Sequence, residues 1–175
     1  MNASFSYKNR TEGWGAFTLS SYIIGSNSIE ADPDNALFQH EYGHYLQSKA
    51  SGPMYLFKYA IPSVWSAAKS EKSGWNHDYF AVEQDANARA LKHWEKKFPG
   101  FTDNKRWDSK NNPIIGFNFE MPYNNIENQN ALKNSKIQAF QWGDLWRFPL
   151  NMPVLSHGYF QYHKKRYTNP ENMSY

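Results

Sequence analysis

The residues best suited to chemistry in this chain stand together at His40-Glu41-Tyr42-Gly43-His44. On an α-helix, side chains four positions apart lie one above the other on a single face. Two imidazoles at that spacing can bind one divalent ion, and zinc readily takes histidine nitrogen. A glutamate beside the first histidine points toward a water held by that ion. It can accept the water's proton and later deliver it to a leaving amine. In a chain of this composition such a pattern arises by chance about 0.01 times. The spacing therefore predicts a zinc site with His40 and His44 as ligands and Glu41 as the general base.

Two histidines leave a catalytic zinc one protein group short, because such sites hold three protein ligands and a water. The candidates are His77, Asp78, Glu83, Asp85, His93, His157 and His163. Glu83 is favoured. It falls within a second helical stretch and has Asn87 one turn on, so a carboxylate ligand and a polar group able to orient a ligand histidine stand side by side. His77 is the main rival ligand. The oxyanion of an attacked carbonyl needs a further donor. Tyr42, His77, Tyr79, His157 and Tyr159 all qualify by type, and their spacing does not choose among them. Gly43 costs about 1 kcal/mol inside a helix relative to alanine. It is expected where a packed chain or the third ligand passes close to the helix.

The elements that must position these groups are partly legible. Phe17 to Ile24 is rich in β-branched and aromatic residues and predicts a strand ended by Gly25-Ser26-Asn27, with Ser28–Glu30 as a possible resumption. Asp32-Pro33-Asp34 is a helix-start signal, with Asp32 as cap and Pro33 at the first helical position. That helix is expected over 33–49, stopped by Ser51-Gly52-Pro53. Met54 to Ala68 predicts a buried helical stretch kinked near Pro62. A long helix is expected over 77–98, closed by Pro99-Gly100. Beyond it, Ile114–Phe119 predicts a strand, Asn124–Asn134 reads as loop, and Ile137–Leu150 shows no clean period.

Composition narrows the classes. The chain has 175 residues and no cysteine, which excludes a disulfide scaffold, a thiolate metal site and a cysteine nucleophile. A net charge of +3 gives no basic stripe of the kind that binds nucleic acid. No apolar run reaches the roughly 18 residues of a membrane span. Met1–Arg10 is polar and carries no signal-peptide core, so the expectation is a cytoplasmic protein or a module of a longer, secreted chain. Aromatic residues make up 18% of the chain and can fill a core in place of aliphatics.

His40-Glu-Tyr-Gly-His44 followed by Glu83-Gln-Asp-Ala-Asn87 resembles the gluzincin pattern of thermolysin-like metallopeptidases, HExxH and then ExxxD. The resemblance implies His40, His44 and Glu83 as zinc ligands, Glu41 as general base and Asn87 as the support of a ligand histidine. Asn87 stands where that pattern has aspartate, and the interval from His44 to Glu83 is longer than in thermolysin-like enzymes. A closer likeness is to small bacterial HExxH domains, some of which end Rhs-repeat and related polymorphic-toxin proteins. It is carried by Ala31–Ser48, Gly52–Ser63 and His77–Asn87 and spans roughly residues 15 to 95. It implies an α+β, zincin-like fold: a small sheet on an active-site helix, with a second ligand-bearing helix. A single metallopeptidase-like domain over 1–175 is expected, with a core at 15–98 and a C-terminal extension at 99–175. The implied activity is zinc-dependent hydrolysis of peptide bonds in a peptide or protein substrate, with a cognate inhibitor or immunity protein as a further partner. The alternative is a non-catalytic module, zinc-stabilised or metal-free, that binds through an aromatic-rich surface. Glu41 favours the enzyme, since a purely structural site has no use for that carboxylate.

Overall fold

The computed structural model describes residues 4–7, 15–25, 29–73 and 76–137. It is a mixed α+β arrangement. Strands β1 (Ser4–Tyr7), β2 (Ala16–Leu19) and β3 (Tyr22–Gly25) form one sheet in the order β1-β3-β2. β1 runs parallel to β3, and β2 runs antiparallel to it. Among the described residues four α-helices follow: α1 (Ala36–Ser51), α2 (Ile61–Ser73), α3 (Ala81–Lys97) and α4 (Ile126–Asn134). None of the described helices is long and apolar enough to cross a membrane.

The single strand expected over 17–24 is instead a hairpin. Leu19 pairs with Tyr22, so Ser20-Ser21 is a two-residue turn, and Ser20 takes the left-handed φ of 57° that such turns demand. Along β2 the side chains alternate as the pleat requires: Thr18 is buried toward α1, while Phe17 and Leu19 face outward.

α1 starts three residues later than the Asp32 signal. Asp32, Pro33 and Asp34 make a turn of their own, in which Asp32 accepts from the Asp34 N–H and its carbonyl from the Asn35 N–H. Asn35 is the cap, its side chain accepting from the Phe38 N–H at 2.9 Å. After α1 the chain makes a 3₁₀ turn (Gly52–Met54) and a π-helical turn (Leu56–Ala60) before α2. The widened turn lies just ahead of Pro62, whose ring would clash with the Lys58 carbonyl in a regular α-helix. This stretch is not the buried helix expected of it. Tyr55 and Tyr59 point inward, but Leu56, Phe57, Ile61, Val64 and Trp65 are exposed.

α3 begins at Ala81 rather than His77. Residues 114–119 form turns, not a strand, and the Asn-rich stretch expected to be loop contains α4, capped by Asn125. Residues 99–137 are no appendage. Phe101, Trp107, Ile114, Phe117 and Leu132 share one apolar cluster with Phe38 of α1 and with Leu91 and Trp94 of α3. Buried amide side chains staple this segment down. Gln39 donates to the carbonyls of Pro33 and Arg106, and Gln84 to those of Asp78 and Pro113. Asn128 donates to the carbonyl of Asn118. Each amide satisfies backbone groups of irregular chain that would otherwise be buried without partners.

Candidate metal centre

α1 and α3 meet at Gly43. A Cβ there would lie 2.1 Å from the Ala86 carbonyl oxygen and 2.5 Å from its carbon, both backbone atoms. Only glycine permits this approach. The contact lets α3 approach α1 more closely than a side chain at position 43 would allow and brings Glu83 against His40 and His44.

The ligand atoms of those three residues converge. Glu83 Oε2 lies 3.1 Å from His40 Nε2 and 2.9 Å from His44 Nε2, and the two nitrogens are 3.2 Å apart. A tetrahedral zinc with bonds of about 2.0–2.1 Å holds its ligand atoms about 3.3 Å apart, so the cluster has the size of a metal site. The outer ring nitrogens are occupied by amide oxygens: His40 Nδ1 meets Asn87 Oδ1 at 2.8 Å, and His44 Nδ1 meets Gln47 Oε1 at 2.8 Å. The inner nitrogens thus face a carboxylate oxygen, and each other, across a space that calls for positive charge. The group could hold a metal ion.

Without an ion, protons meet that demand. Burial alone would lower the pKa of His44, but the Glu83 carboxylate, with Glu41 and Gln47, overrides it and raises the value to about 9. His40 rises for the same reason, burial being outweighed chiefly by its hydrogen bond to Glu83. Burial pushes Glu83 upward, yet the two histidines hold its carboxyl well below the usual range. Its second oxygen, Oε1, is buried with no hydrogen-bond partner.

Comparison with family models, with curated proteins and with solved structures found no match to this chain. The chemistry of the site is therefore read from its own groups.

Glu41 is buried beside the cluster, with Thr18 of β2 against it. The Thr18 hydroxyl lies 2.6 Å from Glu41 Oε2 and 2.9 Å from its backbone carbonyl. Tyr55 donates to the Thr18 carbonyl at 3.1 Å. In a two-residue hairpin the Leu19–Tyr22 pair is hydrogen-bonded, so Thr18 turns its own backbone groups to the outer edge. Tyr55 therefore caps part of the outer edge of β2. Burial, then the Glu41 and Glu83 carboxylates, raise the Tyr55 hydroxyl and keep it a neutral donor.

His77 stands just outside the triad. Its Nε2 is 3.6 Å from the orphaned Glu83 Oε1, and its Nδ1 is 3.0 Å from the buried Ser66 hydroxyl. The side chains of His40 and His77 keep 20% and 26% of their surface exposed, against 1% for Glu83, so among the described residues the site opens on their side. Tyr42 is directed elsewhere, packed in tilted ring contacts among Phe38, Tyr45, His93 and Trp94. His93 belongs to that group, and Asp85 is committed to Arg89 at 2.7 Å. Tyr79 is half-buried just ahead of α3, and Asp78 is exposed there. His157, Tyr159 and His163 lie outside the described residues. Gln47 and Tyr55 were not singled out by sequence. The position of Gln47 three residues after His44, on the same helical face, is a usable signal; Tyr55 carries none.

Proposed function

We propose that this chain is a zinc-dependent peptide hydrolase with a zincin-like, gluzincin-type core. The observation that carries the reading is the convergence of His40 Nε2, His44 Nε2 and Glu83 Oε2 within 3.2 Å of one another, with a glutamate buried alongside. Zinc bound there would supply a Lewis acid that polarises the scissile carbonyl and acidifies a water. Glu41 accepts the proton of the attacking water at its carboxylate and passes it to the departing amine. Thr18 holds one oxygen of that carboxylate against the sheet and leaves the other for the proton transfer. His77 is the best-placed donor to the carbonyl oxygen among the described candidates, because its Nε2 borders the triad on the open side.

The substrate is a peptide or protein segment presented in extended form. A diverse peptide library, incubated with zinc-loaded protein and read by mass spectrometry, tests the reading. Cleavage should stop on chelation, return with zinc, and be absent in Glu41→Gln. That variant keeps the side-chain shape and the zinc but cannot take the proton. Equal cleavage by Glu41→Gln would remove the general-base assignment.

The proximity of His77 to Glu83 favours one second reading, a closed structural site in which His77 is a fourth ligand. Loss of zinc from His77→Ala would support it over the hydrolase.

A further inference from the structure

The Gln47 side chain is fully buried and every polar atom in it is committed. Nε2 donates to the Val82 carbonyl at 2.8 Å and to Asp85 Oδ2 at 2.9 Å, which uses both amide hydrogens. Oε1 is therefore the atom turned to His44 Nδ1, and it can only accept. His44 must carry a proton on Nδ1, so Nε2 is the nitrogen that can turn a lone pair to a metal ion once its own proton has left. Asn87 repeats the device on the other histidine. Its Nδ2 donates to the Pro113 carbonyl at 3.0 Å, and its Oδ1 faces His40 Nδ1 at 2.8 Å. Flipping either amide would set oxygen against a carbonyl and NH₂ against a ring N–H.

We propose that Gln47 is a positioning residue that sets the tautomer of His44, the counterpart on α1 of the support that the gluzincin resemblance already implies for Asn87 at His40. Each is a primary amide pinned by a backbone carbonyl, so that its oxygen holds the ring Nδ1–H and Nε2 faces the metal position. Asp85, itself held by Arg89 Nε at 2.7 Å and by the Ile137 N–H at 2.8 Å, anchors the Gln47 end. A carboxylate could accept from the ring equally well. At 87, however, it would meet the Pro113 carbonyl oxygen, and at 47 the Val82 carbonyl and Asp85. Asparagine is thus what these surroundings require where the gluzincin pattern has aspartate. The inference deepens the metal reading above and rests on it for its purpose, not for its geometry.

Long-range ¹H–¹⁵N spectra of the labelled protein, with and without zinc, test it. In the native protein both rings should carry a slowly exchanging Nδ1 proton. Gln47→Met should lose that protection at His44 alone, and Asn87→Leu at His40 alone. Gln47→Glu, which keeps an acceptor but loses both donors, should retain the His44 Nδ1 proton while lowering the melting temperature. Zinc affinity, measured by competition with a chromophoric chelator, should fall about 10- to 100-fold in Gln47→Met. A native His44 protonated on Nε2 alone would overturn the proposal. So would a folded Gln47→Met with an unchanged Nδ1 signal and unchanged zinc affinity. Native protein that shows both Nδ1 protons yet takes up no zinc would uphold the tautomer assignment and sink the hydrolase reading instead.

Discussion

Around the metal cluster between α1 and α3, six buried side chains are polar: Glu41, His44, Gln47, Glu83, Asp85 and Asn87. Along the π turn and the start of α2, the side chains facing solvent are Leu56, Phe57, Ile61, Val64 and Trp65. The two regions reverse the usual distribution of polarity. Burying a polar group without a partner costs about 1–3 kcal/mol, so the junction is tolerable only because its network is nearly complete. Glu83 Oε1 is its open end among the described residues. The apolar segment, in contrast, engages the core through Tyr55 and Tyr59 and turns Leu56, Ile61 and Val64 to solvent. Sensitivity to mutation should therefore run opposite to hydrophobicity: small changes at the junction should damage the protein more than apolar-to-polar changes on the segment.

The largest effect is expected for Gly43→Ala. One methyl group would meet the Ala86 backbone, which cannot swing aside as a side chain can. We expect a loss above about 3 kcal/mol in chemical denaturation, beyond the usual range for overpacking, together with loss of metal uptake as the ligand helices part. A stable variant that still binds metal would show that the helices are free to separate.

Removing the ion sharpens the comparison through pH. His44 has a folded pKa of about 9 against an ordinary 6.5, so its contribution is complete below 6.5 and is lost as pH rises through 9. Glu83 is depressed below its ordinary 4.5, so its contribution is present above that value and is lost as pH falls. Chelated protein should accordingly melt highest between pH 4.5 and 6.5 and lose stability toward pH 9. Zinc-loaded protein should lack the alkaline loss, because the ion replaces the protons. Identical alkaline profiles with and without zinc would place the ion elsewhere.

Thr18→Val removes the hydroxyl that reaches Glu41 and nothing else of that size. A cost of about 1–2 kcal/mol is expected from an unpaired buried carboxylate oxygen, and on the proposed hydrolase reading a fall in kcat with little change in KM. The smallest effect belongs to the other region. Val64 is 69% exposed, and Val64→Ser should shift stability by no more than about 0.5 kcal/mol. A loss several times larger would show that this face is covered in the folded protein.

The parts legible in sequence are those with a periodic or stereotyped local signal. His40 and His44 declare a helix by their spacing, and Pro99-Gly100 marks the end of α3. The hairpin was missed because Ser20-Ser21 contains neither glycine nor asparagine, the usual sources of a left-handed turn residue. α4 was missed because asparagines that favour loops in isolation here cap a helix and tie chain segments together, as Asn125 and Asn128 do. The pins behind the histidines were illegible for a different reason. Pro113 and Val82 act through backbone carbonyls, which every residue owns, so residue type says nothing about them. Aromatic content likewise promised a filled core without saying which face of Leu56–Trp65 would be left outside.

The claim on which the rest depends is that His40, His44 and Glu83 hold one metal ion between them. Elemental analysis of protein purified without added metal, beside Glu83→Ala prepared in the same way, tests it most directly. The account predicts about one zinc per chain in the native protein, removed by a strong chelator, and little in the variant. Native protein that contains no metal and takes up none on titration, or Glu83→Ala that retains a full equivalent, would contradict it.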